Sequence, residues 1–212
     1  MLQIKIFTFS PIQENTYLLF NEHKNAILID PGCYSIEEKN ELKKYLDDNG
    51  LNLKMLINTH CHLDHVFGNK WVNETYGLKP IIHKNEEPML KVAGFSGEKW
   101  GLPFDNYEGE VEYFKEGDII SLDEDELHII EAPGHSPGHV CLYSKTQNFI
   151  IGGDVLFYES IGRTDFPMCS HDDLINNIKT KLFVLPAETI VYPGHGSETT
   201  IGHEKKNNPF IH

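Results

Sequence analysis

An α/β fold of two similar halves, sheet packed against sheet with helices outside, is the architecture this sequence predicts. Residues 17–30 (YLLFNEHKNAILID) and 140–154 (VCLYSKTQNFIIGGD) share a layout. Each is an apolar strand, a polar turn ending in Asn, a second apolar strand and an aspartate at its end. In both halves a helical stretch and a strand ending in histidine follow, His60 in the first and His195 in the second. Two-residue alternation and amphipathic helical periods succeed each other along the chain, as layered α/β domains require. The 212 residues suit a single domain over 1–212 with a substantial core.

The elements follow in order. Residues 2–9 (LQIKIFTF) alternate as a strand, 16–20 with 26–30 read as a hairpin pair, and the Pro-Gly after them reads as a turn. Residues 35–50 form an amphipathic helix, with Ser35 as cap, Glu38 at the capping-box position and Gly50 as its stop. The strand 53–60 (LKMLINTH) runs directly into a histidine cluster; a helix over 66–77 and a short strand at 79–83 come next. Residues 94–109 (GFSGEKWGLPFDNYEG) carry glycines and aromatics without a period and read as a loop or lid, with Phe95, Trp100, Phe104 and Tyr107 either walling a pocket or packing on themselves. Strands resume at 117–122, 126–133, 139–144 and 148–154, with the acidic run Asp123–Glu126 as a solvated hairpin turn. A helix over 170–185 has Ser170 as cap and Asp173 in the box position, and 188–195 (ETIVYPGH) is the last strand.

The net charge of −14 disfavours a nucleic-acid or anionic-membrane partner, both of which want a basic face. The N-terminus lacks the pattern of a signal peptide, and no apolar run reaches the length of a membrane span. Cys33, Cys61, Cys141 and Cys169 are dispersed without a C-x-x-C pair, which fits free thiols in a reducing cytoplasm.

The chemistry concentrates in THCHLDH, residues 59–65. His60 and His62 sit two apart at a strand end and point the same way, and one helical turn returns His65 toward them. Asp64 falls near a helix start, where a carboxylate is electrostatically favoured. One such histidine is ordinarily a hydrogen-bonded core residue. Several crowded polar side chains would each cost about 1–3 kcal/mol if buried without partners, and a divalent metal is the common partner of neutral imidazole and carboxylate. Three further strand ends carry the same residue types beside glycine: His135, Asp154 and His195. Seven donors are too many for one tetrahedral ion with an open position and suit two. The division gives His60, His62 and His135 to one metal and Asp64, His65 and His195 to the other, with Asp154 bridging.

On these residues, THCHLDH with downstream GH, GGD and PGH, the chain resembles the metallo-β-lactamase superfamily over essentially its whole length. The resemblance implies a four-layer αββα sandwich of two similar halves, with a dinuclear site at the sheet edges and an aspartate behind it, matched by Asp30. Asp30 otherwise reads as part of an Asp-Pro-Gly turn. The segment GRTDFP (162–167) and the tail GHGSETTIGHEKKNNPF look most like the short glyoxalase II-like (hydroxyacylglutathione hydrolase-like) enzymes that lack the C-terminal helical domain. Where longer enzymes carry a Lys-Phe-Tyr segment for substrate, this chain has Arg163-Thr164-Asp165, so the thiol carrier is open.

The implied activity is hydrolysis of a small thioester, S-D-lactoylglutathione-like, by a metal-bridging hydroxide. The cofactor is two divalent ions, zinc first, with iron or manganese as alternatives. Paired ions lower the pKa of a shared water and take up developing oxyanion charge. A thiolate leaves without a strong general acid; Asp64 is a candidate proton acceptor, although its ligand reading ranks ahead. Arg163, the one arginine in the chain, suits a substrate carboxylate or an internal pair with Asp165 equally well. His139 reads as a residue supporting the ligands. His23, His83, His128, His171, His203 and His212 lack the strand-end glycine context. The principal alternative is a persulfide dioxygenase of the same superfamily, with a single iron on His60 or His62, His135 and Asp154. A metal-binding module without catalysis, β-lactam hydrolysis and RNA cleavage rank below both.

Overall fold

A computed structural model describes residues 1–211. The chain divides into two compact units, Met1–Phe114 with Ser121–Asp125, and Lys115–Ile120 with Glu126–His212.

The first unit is built on a six-stranded sheet in the order β1-β2-β3-β4-β5-β6. Strands β1 (Gln3–Phe9), β2 (Glu14–Phe20) and β3 (Asn25–Ile29) form an antiparallel meander. After α1 (Ile36–Asn49), β4 (Asn52–Ile57) returns parallel to β3. The expected capping box at Ser35 and Glu38 is present, and Gly50 ends the helix in the left-handed conformation. Glu38 does more than close the box: its other oxygen accepts the Ser10 N–H at 2.7 Å, pinning the β1–β2 turn to the helix start.

The helix expected over 66–77 is two pieces, α2 (Leu63–Val66) and α3 (Asn69–Tyr76). The break falls at Gly68, where a Cβ would meet the Pro31 carbonyl oxygen at 2.8 Å, and whose N–H donates to that same oxygen. Close approach of two backbones diverts the helix. Strand β5 (Pro80–His83) then leads through a 3₁₀ turn, Lys84–Glu86, into α4 (Glu87–Trp100), followed by β6 (Glu112–Phe114). The loop or lid expected at 94–109 is therefore corrected: residues 94–100 are helical. The glycines that made the stretch look irregular are a packing surface. A Cβ at Gly97 would meet the Leu102 oxygen at 2.6 Å and the Phe104 ring at 2.9 Å, so glycine lets the returning chain lie on the helix. Of the four aromatics there, Tyr107 is buried and Phe104 packs edge-on against Phe67, whereas Phe95 and Trp100 are exposed.

The second unit carries a six-stranded sheet in the order β14-β13-β10-β9-β8-β7. Its strands are β7 (Ile119–Leu122), β8 (Asp125–Glu131), β9 (Val140–Ser144), β10 (Phe149–Gly153), β13 (Ile190–Pro193) and β14 (Thr199–Thr200). A two-stranded ribbon, β11 (Leu156–Phe157) and β12 (Ser160–Ile161), follows β10. Helix α5 (His171–Asn177), capped by Ser170, runs on into a π turn at Ile178–Leu182, and α6 (Ile201–Asn207) lies in the tail.

The repeat read from the sequence is real in topology. Hairpins β2–β3 and β9–β10 are both antiparallel, and each second strand pairs in parallel with a strand, β4 or β13, that ends two or three residues before a histidine, His60 or His195. The correspondence is off by one residue at the strand end. Asp30 and Gly153 are the matching left-handed positions (φ 50° and 48°), and Asp154 lies one step beyond.

Each unit has its own core. Leu42, Leu46 and Val72 of α1 and α3 pack on Phe7, Leu18, Leu28 and Leu56 of the first sheet. Leu174, Ile178 and Ile201 pack on Cys141, Ile150 and Val191 of the second. No helix among the described residues is long and apolar enough to cross a membrane. Leu28→Ala, which empties a fully buried site in the first core, is expected to cost about 2–5 kcal/mol, read as a lowered urea midpoint at unchanged slope.

Candidate metal centre

Strand β4 delivers the first set of donors. The chain leaves the sheet at Asn58, whose side-chain amide donates to the His65 carbonyl at 2.9 Å. His62 is extended (φ −66°, ψ 153°) and forms the N-cap position of α2. The strand end, turn and helix start expected from the spacing thus bring three imidazoles together. The His60 and His62 rings lie 4.7 Å apart, and those of His60 and His65 4.1 Å apart. His60 and His65 are fully buried, Asp64 is buried with an oxygen 3.8 Å from His65 Nε2, and His62 is half-buried.

Asp30 stands behind this set. One carboxylate oxygen accepts the Thr59 N–H at 2.7 Å, and the other accepts the Thr59 hydroxyl at 2.6 Å and faces His65 Nδ1 at 3.1 Å. Its donor atom, with those of His60 and His65, falls in a group mutually within 4.8 Å. With both oxygens already engaged, Asp30 acts on the ring nitrogen of His65 that a metal would not use. The simple-turn reading of Asp30 is thereby set aside.

Two buried acids were not singled out from the sequence. Glu14, at the start of β2, holds Thr16 Oγ1 at 2.8 Å and lies 3.8 Å from His65 Nδ1. Burial pushes its carboxyl well above the usual range, partly opposed by His65 and Thr16 and reinforced by Asp30. Glu86, in the turn before α4, accepts the Cys61 N–H at 2.8 Å and is fully buried. Neither carried a sequence signal, because an acid at a strand start or a helix start normally reads as solvent-facing.

The second unit supplies a separate set. Asp154 Oδ2 lies 3.5 Å from His135 Nε2 and 3.6 Å from His195 Nε2. His135 Nδ1 is 2.8 Å from the Arg163 carbonyl oxygen. A carbonyl only accepts, so Nδ1 carries the proton and neutral His135 presents a lone pair at Nε2. His139 is buried and its Nε2 accepts the Asp154 backbone N–H at 2.9 Å. The glycine before His135 serves helix packing, since a Cβ on Gly134 would strike the backbone of Leu174 in α5. Gly162 carries the local constraint instead, since a Cβ there would overlap the Asp154 carbonyl oxygen and approach His135 Nδ1 at 3.0 Å.

Of the two readings of Arg163, the internal pair is the one present. Its guanidinium meets Asp165 through two hydrogen bonds of 2.7 Å and lies 3.9 Å over the Phe166 ring. The pair holds the Asp165 carboxyl down to about 2. The remaining histidines are ordinary. His23 pairs with Glu124, His128 with Glu126, and His203 with Glu159. His83 caps the 3₁₀ turn and His171 lies near Thr164; His212 is outside the described residues.

These donors fit a divalent cation. In the second unit two imidazole Nε2 atoms come up to one carboxylate, with the opposite nitrogen of His135 held by a carbonyl oxygen, and a lone pair against an anion at about 3.5 Å is repulsive unless a proton or cation lies between. Gly162→Ala is expected to loosen the Asp154–His135 geometry, lowering both thermal stability and the divalent metal retained after dialysis; unchanged metal content would show that the close approach is dispensable.

Comparison with known proteins agrees with this geometry. The profile of the metallo-beta-lactamase superfamily matches residues 10–195. The chain is 37% identical to a hydroxyacylglutathione hydrolase, GloC, of Haemophilus influenzae over 99% of its own length and 98% of the relative's. Among solved structures, BLEG-1 B3 metallo-beta-lactamase superposes with a TM-score of 0.90 at 32% identity, covering 99% of each chain. TTHA1623 in a di-iron-bound form superposes at 0.87 with 35% identity, covering 97% of this chain and 99% of that one. With whole-length relatives at this identity and a matching profile over most of the sequence, the chain belongs to the metallo-beta-lactamase superfamily.

Proposed function

We propose that this metallo-hydrolase cleaves a small thioester of the S-D-lactoylglutathione type at a two-metal centre. The observation that carries the reading is the Asp154 carboxylate oxygen set between the Nε2 atoms of His135 and His195 at 3.5 and 3.6 Å. A carboxylate with a histidine on either side is placed to serve two ions. The hydroxyacylglutathione hydrolase relative and the di-iron neighbour support the substrate class and the metal count respectively.

In this reading His60, His62 and His135 hold one ion, Asp64, His65 and His195 hold the other, and Asp154 is shared. Bound divalent ions supply Lewis acidity and bring the pKa of coordinated water toward neutrality. The chain's own residues do the rest. Asp30 and the Arg163 carbonyl fix the tautomers of His65 and His135, so that their Nε2 atoms face the site. His139 holds the Asp154 backbone N–H and with it the carboxylate's direction. Asp64 doubles as ligand and candidate proton acceptor, and the thiolate product needs no strong acid. Zinc is the first choice of metal, with iron or manganese as alternatives. The four cysteines are free and three are buried, which supports a reducing, cytoplasmic setting. Arg163 joins substrate binding by exchanging Asp165 for a substrate carboxylate.

The test is metal analysis together with turnover of S-D-lactoylglutathione. About two equivalents of metal with thiol release is expected. One iron with oxygen uptake on glutathione persulfide would replace the reading with the dioxygenase, and turnover of a β-lactam instead would move the substrate class. Asp154→Asn is expected to lose metal and reduce turnover by at least about 10²-fold; full metal with retained activity would remove its shared role. Arg163→Ala is expected to raise KM for carboxylate-bearing thioesters several-fold more than for neutral ones, and an equal effect on both would confine Arg163 to its pair with Asp165.

A further inference from the structure

We infer that Glu86 is a positioning residue for the His60–His62 pair. Helix α4, through its first turn, thereby becomes part of the machinery that sets the metal-binding loop. This rests on the reading of His60 and His62 as ligands of a bound ion.

The peptide between His60 and Cys61 lies between the two imidazoles, and its N–H is held by Glu86 Oε2 at 2.8 Å. Two residues earlier, the Thr59 N–H is held by Asp30. The N–H groups of residues 59 and 61, on either side of His60, are thus both held by carboxylates across the bend at Thr59. Fixing these two peptides fixes the backbone from which His60 and His62 project. Their 4.7 Å ring separation is the outcome.

The Cys61 side chain supplies the second anchor. It is buried in a small apolar cluster with Val66, Ile82, Leu90 and Ala93, of which Leu90 and Ala93 belong to α4. At 1% exposure it packs here as a small apolar group. Cys61 is thus held to α4 through both backbone and side chain. A fully buried carboxylate is costly unless it accepts good hydrogen bonds, and a charge-assisted bond to a backbone N–H is among the stronger kinds. No aliphatic residue could reproduce the link.

The test reads metal affinity and the ligand field, not turnover. Zinc affinity is measured by competition with a chromophoric chelator, and cobalt(II)-substituted protein gives the d–d absorption spectrum. Glu86→Ala is expected to weaken one of the two equivalents by about 10–100-fold and to alter the cobalt spectrum, while the other equivalent stays within about three-fold. Glu86→Gln keeps an acceptor oxygen in place and is expected to remain within about three-fold at both. Leu46→Ala loosens the separate core beneath α1, outside the Cys61 cluster, and is expected to lower Tm while leaving affinity and spectrum unchanged. Wild-type affinity in Glu86→Ala, or an equal loss in Leu46→Ala at a matched fall in Tm, overturns the inference. Should Glu86→Ala not fold, Glu86→Asp withdraws the acceptor by one methylene while keeping the charge; weakened binding is expected and unchanged binding overturns it. Wild-type protein that binds two metals yet hydrolyses no thioester would sink the proposed substrate and leave the role of Glu86 to be decided by these affinities.

Discussion

The carboxylate of Asp30 is the tie on which the first half of the site depends. It sits 1% exposed at the end of β3, in a left-handed conformation that a non-glycine residue adopts only when its surroundings insist. Its neighbours do insist: Thr59 donates twice and His65 Nδ1 faces it, so the anion is solvated by the protein in place of water. The same contacts weld β3 to the end of β4, since Thr59 is the second residue beyond that strand. Backbone register, ligand orientation and the charge balance around His65 are set by one group. Glu14 and Glu86 extend the scheme, placing further buried carboxyl groups around the loop that carries the histidines.

The second half solves the same problem with less charge. His135 is oriented by a backbone carbonyl, not a carboxylate, and the Asp154 N–H is received by a neutral imidazole, His139. A carboxylate behind an imidazole makes its other nitrogen a stronger donor than a carbonyl does. The repeated topology therefore carries imidazole donors of unequal basicity, His65 and His135. The strand-end difference has the same flavour: glycine occupies the position of Asp30, and the acid moves one residue outward, where it can serve as a ligand.

What the sequence made legible was periodic or local. Alternation located nearly all the long strands, the Ser35–Glu38 box located α1, and the spacing in THCHLDH foretold the strand-turn-helix that gathers its histidines. What it hid depends on partners distant in the chain. Gly94 and Gly97 looked like loop residues because nothing local says that Asn106 and Phe104 will lie against them. Glu14 and Glu86 looked solvent-facing because the groups that accept them into the interior lie 51 and 25 residues away, at His65 and Cys61. Arg163 was evenly poised between two readings, and a partner only two residues on, Asp165, engages it.

Residue 163 also separates two jobs within one amino acid. Its carbonyl oxygen fixes His135, whereas its half-exposed side chain takes no part in that bond. Any residue type offers a carbonyl, so the side chain here is free to change without disturbing the imidazole that the backbone holds. Gly162, one position earlier, has no such freedom, because the Asp154 backbone fills the space a side chain would need. A chain built this way can exchange the side chain at one position while its neighbour keeps the spacing of Asp154 and His135 constant.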